Sequence, residues 1–490
     1  MNLVISGAIL SISNNIIRVE KWVEVMLRAV LLRMKQGAYN VLNRHLTGES
    51  INFRQVIAII IPLLVDQVFI VMLTLLNTAM ISSSGKTSVA AVSMVDSLNV
   101  IIYNIFVALA TGGTVVVAQY KGAENTEGVS KAAAHTLIST GLISLLIGSL
   151  IAAFHAPLLS LLFGKAEQAV LSKARLYLIF SALSYPLTGT TDAITGALRG
   201  TGNTKASLWL SLLKNGSYVF FNLIFLTLMK MGILGLVISL IISRLLGALF
   251  SLVYIFKIDR SIELCARDLF NINFAMLRIV MLYGIPFAAE QIFFNGGKLL
   301  TQTFIVTLGT NALAINAICN SLSPLPQIGA LACSLAIVTV VGQCVGRKNF
   351  TDAKKFIRSF IVMGSLSALV LTLLLLPLLS WLISLFSPGS GIVPEIKIIL
   401  YISWAAAPFL YSTSFVTPAA LRAAGDARFT LLSSLLSMWL LRVVLGYILG
   451  VVLGFGIVGV WVAMIVEWGV RSLIFQLRIH GSKWLILMAD

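Results

Sequence analysis

The sequence predicts an all-α integral membrane protein with twelve transmembrane helices in two six-helix bundles. Three observations carry that prediction: composition, run length and an internal repeat. The chain has 490 residues, 58% of them hydrophobic, and a mean hydropathy of +0.98, which is more apolar surface than a soluble globule of this size can bury. Runs such as TLISTGLISLLIGSLIAAF (136–154) and FIVMGSLSALVLTLLLLPLLSWLISLF (360–386) match the roughly 20 residues a helix needs to cross the hydrocarbon core. They are too long for barrel strands and lack strand alternation, so helices are the spanning solution left.

In chain order, an arm covers 1–51. Within it IIRVEKWVEVMLRAVLLRMK (16–35) has helical period, with Trp22 and Leu27 among apolar residues and Arg18, Lys21, Arg28 and Arg33 among charged ones. Two readings stand for this arm: an interfacial helix on anionic lipid, or a translated leader with the true start at Met34. The N-terminus lacks the basic n-region and the small-residue site of a secretory signal. Polar breaks then give spans near 56–81, 92–118, 132–155, 172–196, 206–229 and 233–256, forming a first bundle over 52–256. A charged loop, 257–273, precedes spans near 278–308, 313–342, 357–386, 395–419, 430–453 and 456–476, forming a second bundle over 274–478, and a tail covers 479–490.

Charge orients these spans. With both termini cytoplasmic, 25 of the 35 Lys and Arg fall inside, 6 fall outside, and Lys214, Arg244, Lys298 and Arg442 fall within spans. The net charge of +17 is thus mostly a cytoplasmic-face charge. It is spread over short segments and not gathered on a module that would bind nucleic acid.

The third observation is a duplication. ALRGTGNTK (197–205) recurs as ALRAAGDAR (420–428), 223 residues on; VVVAQYKGAEN (115–125) recurs within VTVVGQCVGRKN (338–349), pairing Gln119 with Gln343, Gly122 with Gly346 and Asn125 with Asn349, and IPLLVDQVF (61–69) recurs as IPFAAEQIF (285–293), these pairs 224 apart. An even number of spans per copy returns the second copy to the same orientation, so the copies are related by an axis along the membrane normal. The repeated turn reads as a structural corner. Gly200, Gly202 and Gly425 permit helix-stopping backbone, Asn203 or Ser207 can cap the next helix, and Arg199 and Arg422 would satisfy helix-end carbonyls or lipid phosphates.

Together GTVVVAQYKGAEN (113–125), ALRGTGNTK and ALRAAGDAR resemble the multidrug and toxic compound extrusion (MATE) family over roughly residues 52–478. The resemblance implies an exporter of cationic and amphiphilic compounds, driven by H⁺ or Na⁺, in a bacterial inner membrane. No G-x-x-x-x-G-K-[ST] phosphate loop is present, in keeping with secondary transport and no bound cofactor. His45, His135, His155 and His480 are scattered, and the four cysteines form no CxxC, so no metal or catalytic constellation is expected. Cys319, Cys333 and Cys344 read as small packing residues.

Acids at membrane depth mark ion or substrate paths. Asp66 and Glu290 are mates under the repeat, each four residues past a proline and followed by Gln67 or Gln291. They are expected to face the interface between the halves, where a carboxyl in low dielectric suits a proton carrier. The structural alternative pairs them with Lys298, Lys214 or another span residue. Asp96 is placed at an outer vestibule, Asp192 is read as solvated near the inner face, and Glu467 joins this second tier. The family's first-helix acid is replaced by Asn77 in LLNTAM, Phe occupies 294 where some members carry a seventh-helix glutamate, and the tenth span lacks an acid. Asn77, Asn295, Phe69, Tyr103, Asn104, Phe293, Gln302 and Asn316 are candidate wall residues of a drug-sized cavity. SLSPLPQIGA (321–330) is a candidate bend, and Gly446, Gly450 and Gly454 form a helix-packing face. Expected partners are amphiphilic small molecules and membrane lipid, for a monomer. The alternatives are a flippase for a lipid-linked saccharide, which fourteen spans and a basic cavity would favour where twelve spans and an acidic pair are read, and a non-transporting scaffold or lipid-modifying enzyme.

Overall fold

The computed structural model describes residues 43–82, 86–164, 167–269, 271, 273–481 and 484, so the segment 16–35 and Met34 lie outside the described residues. Among these every regular element is helical. The first half comprises α1 (Phe53–Ser82), α2 (Lys86–Gly122), α3 (Thr126–Ala153), α4 (His155–Phe163), α5 (Gln168–Leu183), α6 (Tyr185–Thr201), α7 (Thr204–Asn222) and α8 (Ile233–Val253). The second comprises α9 (Phe274–Thr307), α10 (Thr310–Leu322), α11 (Ile328–Gly346), α12 (Phe350–Leu375), α13 (Leu379–Ser384), α14 (Val393–Ala406), α15 (Ser412–Ala423), α16 (Ala427–Leu436), α17 (Leu445–Tyr447) and α18 (Gly456–His480).

Among the described residues, ten helical segments are long and apolar enough to cross a membrane. The predicted spans at 172–196 and 206–229 are helical but fall outside that set. The first breaks at Ser184 before Pro186, and its second part, α6, carries Thr188, Thr191, Asp192 and Thr195; α7 carries Lys214 and Asn215. Of these, Thr188, Asp192, Lys214 and Asn215 line a pocket described below, which is why the two helices read as less apolar than their neighbours.

Local chemistry sets the helix ends. Asn125, Asn203, Asn273 and Asn349 cap α3, α7, α9 and α12, each side chain accepting from a backbone N–H in the first turn; Ser207 does not take that role. Gly202 and Gly425 end α6 and follow α15 with φ of 90° and 99°, backbone that glycine adopts without a Cβ penalty. SLSPLPQIGA does break the eighth predicted span, as a 3₁₀ turn at Leu325–Gln327. In the glycine run, Gly450 packs closely on Val460 of α18 and Gly446 lies in ordinary contact range of Phe304 and Ala463, but Gly454 has φ 73° and nothing near its Cβ position, so it ends a helix and does not extend the packing face.

The duplication is visible in the backbone. Glu124 and Lys348 share φ values of 58° and 56°, and Gly232 and Gly456 share 58° and 59°. The related helices α2 and α11 cross where a Cβ on Gly122 would meet the Gln343 carbonyl oxygen at 2.1 Å and one on Gly346 would meet that of Gln119 at 1.9 Å. Each glycine sits on the other copy's glutamine, the reciprocal pattern of a two-fold contact.

Hydrogen bonds tie the halves at that end. Thr339 donates to the Arg199 carbonyl (2.8 Å), Gln343 to that of Gly200 (3.2 Å), and Gln119 to that of Ala423 (3.1 Å). The chain before α1 crosses to α12, where the Ser50 N–H donates to Asp352 Oδ2 (2.7 Å) and Leu46, Ile51 and Phe53 join Phe356 and Phe360 in one core. Among the described residues, every hydrogen bond between the halves lies at this Lys- and Arg-rich end.

Candidate functional site

The first half holds a half-open pocket of about 390 Å³ whose walls include Asn77, Asp96, Tyr103, Tyr177, Tyr218 and Arg244. Asp96, on α2, accepts from Tyr177 Oη (2.9 Å) and Asn99 Nδ2 (3.1 Å), with no cation in ion-pair range among the described residues. Asn99 is itself fixed by Tyr185 Oη at 2.7 Å, so the carboxylate is held by neutral donors, which stabilise its charge without cancelling it. Arg244 donates to the Ser181 carbonyl, to Ser184 Oγ (2.5 Å) and to Tyr103 Oη. Asn222 donates to Asn77 Oδ1 at 2.7 Å, which puts an amide pair at the position the family resemblance reserves for an acid.

Asp192 is buried and pairs with Lys214 at 3.0 Å. The expectation of a solvated Asp192 is therefore corrected, because Lys214 on α7 reaches across to the carboxylate and shields it.

Asp66 and Glu290 are both buried, and the charged neighbours of each belong to its own half. Glu290 pairs with Arg422 at 2.8 Å, and that guanidinium also lies over Phe287, 4.6 Å from the ring centroid. This corrects Arg422: it turns inward to a carboxylate and not outward to lipid or helix-end carbonyls. Its repeat mate Arg199 does bond a helix-end carbonyl, that of Thr195, at 3.3 Å. Asp66 has no matching ion pair among the described residues, and its Oδ1 is buried without a hydrogen-bond partner; the Ser211 hydroxyl lies beside the carboxyl group, and the fields of Arg199 and Lys214 reach it. A carboxylate oxygen left without a partner in a low-dielectric interior is an acceptor position for a proton or a cation.

The second half carries a cluster on which the sequence reading did not settle. Glu467 on α18 is fully buried between Arg442 (3.0 Å) and Arg471 (3.0 Å). Arg471 spends its other donors on Ser414, bonding Oγ and the carbonyl oxygen at 2.9 Å each, and lies over Phe415, 4.2 Å from the centroid. Lys298 stands over the Phe294 ring at 4.8 Å, and Arg442 and Arg471 lie 5.4 and 5.8 Å from the same centroid. Arg471 counts as a loop charge in the orientation sum yet is 3% exposed. The available signal was the presence of Lys298 and Arg442 inside spans.

Of the remaining candidates, Asn295 is buried and bonds the Gln291 carbonyl at 2.8 Å. Asn316 joins Gln302 (2.8 Å) and Trp461 (3.2 Å). Gln67 and Gln291 are partly buried and Phe293 is exposed. Gly200 packs where a Cβ would meet the Thr114 carbonyl oxygen at 2.8 Å.

A multi-pass helical protein with a duplicated scaffold, buried ionisable groups and a polar pocket among its helices is a membrane transporter in class. The MatE family model matches residues 62–225 and 286–448, one copy on each half, and the chain belongs to the MATE family, whose members are transporters and not enzymes. It is 25% identical to the uncharacterized transporter YisQ of Bacillus subtilis over 84% of this chain and 90% of that one. It is 23% identical to the probable multidrug resistance protein NorM of Thermotoga maritima over 91% and 96%. A MATE family transporter of the MOP superfamily, solved in an outward-facing conformation, matches with a TM-score of 0.81 at 19% identity, covering 90% of this chain and 98% of that one.

Proposed function

We propose that the protein is a secondary active exporter of amphiphilic organic compounds, cationic ones among them, exchanged for H⁺ or Na⁺ by alternating access. In this reading 172–196 and 206–229 also span, completing twelve helices in two six-helix bundles with their axis along the membrane normal. The Lys- and Arg-rich end lies in the cytoplasm of a bacterial inner membrane, with both termini on that side, and the working unit is a monomer. Cross-half bonds confined to that end support an outward-open cleft, which rocking about the α2–α11 crossing would reverse. The NorM relative, a probable multidrug resistance protein, supports the amphiphile class and does not favour the flippase.

The observation that carries the coupling assignment is the buried, unpartnered Oδ1 of Asp66. Its mate Glu290 is already neutralised by Arg422, so the open carboxylate is the one able to take up an ion. The pocket with Asp96 and its tyrosines supplies a negative group and ring faces for a cationic substrate. The test is efflux of a fluorescent organic cation from proteoliposomes under separately imposed pH and Na⁺ gradients. Native protein moves the dye under one gradient; Asp66→Asn, still monodisperse on a sizing column, loses that drive. Full gradient-driven efflux in Asp66→Asn would overturn the coupling assignment, and no transport under either gradient would overturn the exporter reading.

A further inference from the structure

The span interior of the second half carries Lys298, Arg422, Arg442 and Arg471 against Glu290 and Glu467. One of those pairs is closed on itself, Glu290 with Arg422. The remainder is one carboxylate among three cations, all three within 6 Å of the Phe294 ring centroid. Two of these cations, Arg442 and Arg471, are buried with the one carboxylate, and burying like charges in low dielectric is expensive unless a counter-charge completes the set. Lys298 makes no ion pair among the described residues and is exposed, roughly 36 Å along α9 from Phe274 at the usual helical rise, away from the end where the halves are bonded. Arg442, only 6% exposed, gives one terminal nitrogen to Glu467 while its Nε is buried with no hydrogen-bond partner. Arg471, by contrast, is fully committed to Glu467 and Ser414.

We infer that this half holds an anion-binding subsite. Lys298 Nζ takes the carboxylate, sulfonate or phosphate head of an amphiphilic organic anion, the incompletely partnered Arg442 behind it adds its positive field, and Phe294 supplies an apolar surface for its body. Arg471 and Glu467 are positioning residues that hold Arg442 in place. The subsite widens the substrate range to organic anions and zwitterions, and it rests on the exporter reading only for its claim that the bound anion is moved. A triad that merely joined helices would need neither the free ammonium nor the unfilled Nε.

The test compares carboxyfluorescein, an anionic xanthene dye, on the full-length protein in nanodiscs, by fluorescence anisotropy, for the native chain, Lys298→Gln and Lys298→Arg. Native protein binds the dye, Lys298→Gln weakens binding by about tenfold or more, as expected for losing a charged hydrogen bond, and Lys298→Arg restores most of it. Since Lys298 is exposed, a sizing profile and melting curve matching the native ones separate loss of binding from loss of fold. Equal affinity in native and Lys298→Gln protein would overturn the subsite. Native binding abolished by about 0.15 M chloride, a physiological ionic strength, would overturn its organic character and leave an inorganic-anion site. Dye bound but moved by neither gradient would strike the exporter reading and leave the subsite intact. Gradient-driven export of an organic cation with no carboxyfluorescein binding would do the reverse.

Discussion

The two halves share a backbone and differ in what they bury. Their turns agree to within about ten degrees at two related pairs, Gly202 with Gly425 and Glu124 with Lys348. In register with Gly232 and Gly456, however, Ser243 corresponds to Glu467, Arg244 to Trp468 and Gly247 to Arg471. The first half balances Asp66, Asp96 and Asp192 against Arg199, Lys214 and Arg244, and leaves two of its carboxylates without an ion pair among the described residues. The second closes both of its carboxylates on arginines and keeps cations in excess. Duplication thus supplied matching turns, and substitution on them left one half with carboxylates outside any ion pair among the described residues and the other with more ion-paired arginines than carboxylates to meet them.

The sharpest way to break this comparison is to remove the counter-charge from each half. Glu467→Gln leaves Arg442 and Arg471 buried with a neutral neighbour, and losing one partner of a buried pair costs about 3–5 kcal/mol. Asp96→Asn leaves Tyr177 and Asn99 with an acceptor still present, so its cost is about 1 kcal/mol, that of a weaker hydrogen bond. Melting curves of the two purified variants measure the contrast. Equal destabilisation would mean that the first-half carboxylate is as tightly neutralised as the second.

A smaller effect tests the symmetric part. Gly122→Ala and Gly346→Ala each force a Cβ onto a carbonyl oxygen of the other copy, at 2.1 and 1.9 Å, and should cost about 1–3 kcal/mol apiece as overpacking does. Gly216→Ala, with nothing within 4 Å, should instead gain up to about 1 kcal/mol from helix propensity alone. Because the two crossing glycines are related by the repeat, their variants should match in stability and both slow the exchange of access in transport assays. A large difference between them would show that the crossing is not an equal pivot.

Much of this was legible in the sequence, and the part that was not has a physical cause. Composition and offset repeats predict the helical duplication, and the Asn caps and glycine corners follow from local chemistry that a few residues determine. Side-chain direction is different: a period places Asp66 and Glu290 on equivalent positions, but whether each meets its arginine depends on one methylene and on the packing of another helix. Arg422 and Arg471 sit within a turn or two of a predicted span end, where a sequence reading assigns cations to water or lipid; the fold carries both inward to glutamates. Asp192 illustrates the same limit, since its partner Lys214 lies on a separate helix.

The smallest predicted difference lies in the caps. Asn125 and Asn349 accept from the backbone N–H groups of Gly128 (2.8 Å) and Asp352 (3.0 Å), so replacing either by Ala removes one first-turn acceptor, worth about 1 kcal/mol. Asn349 also donates to Glu49 Oε2 across the halves at 3.3 Å, a contact on the exposed surface that adds a few tenths of a kcal/mol at most. Thermal unfolding of Asn125→Ala and Asn349→Ala should therefore give nearly equal shifts, with Asn349→Ala the slightly larger, and added salt should narrow the gap by screening the Glu49 contact. If Asn349→Ala were several-fold the worse, the cross-half strap from residues 43–52 would be a principal clamp on the closed end, and the pivot at α2 and α11 would no longer suffice to describe how the halves are held.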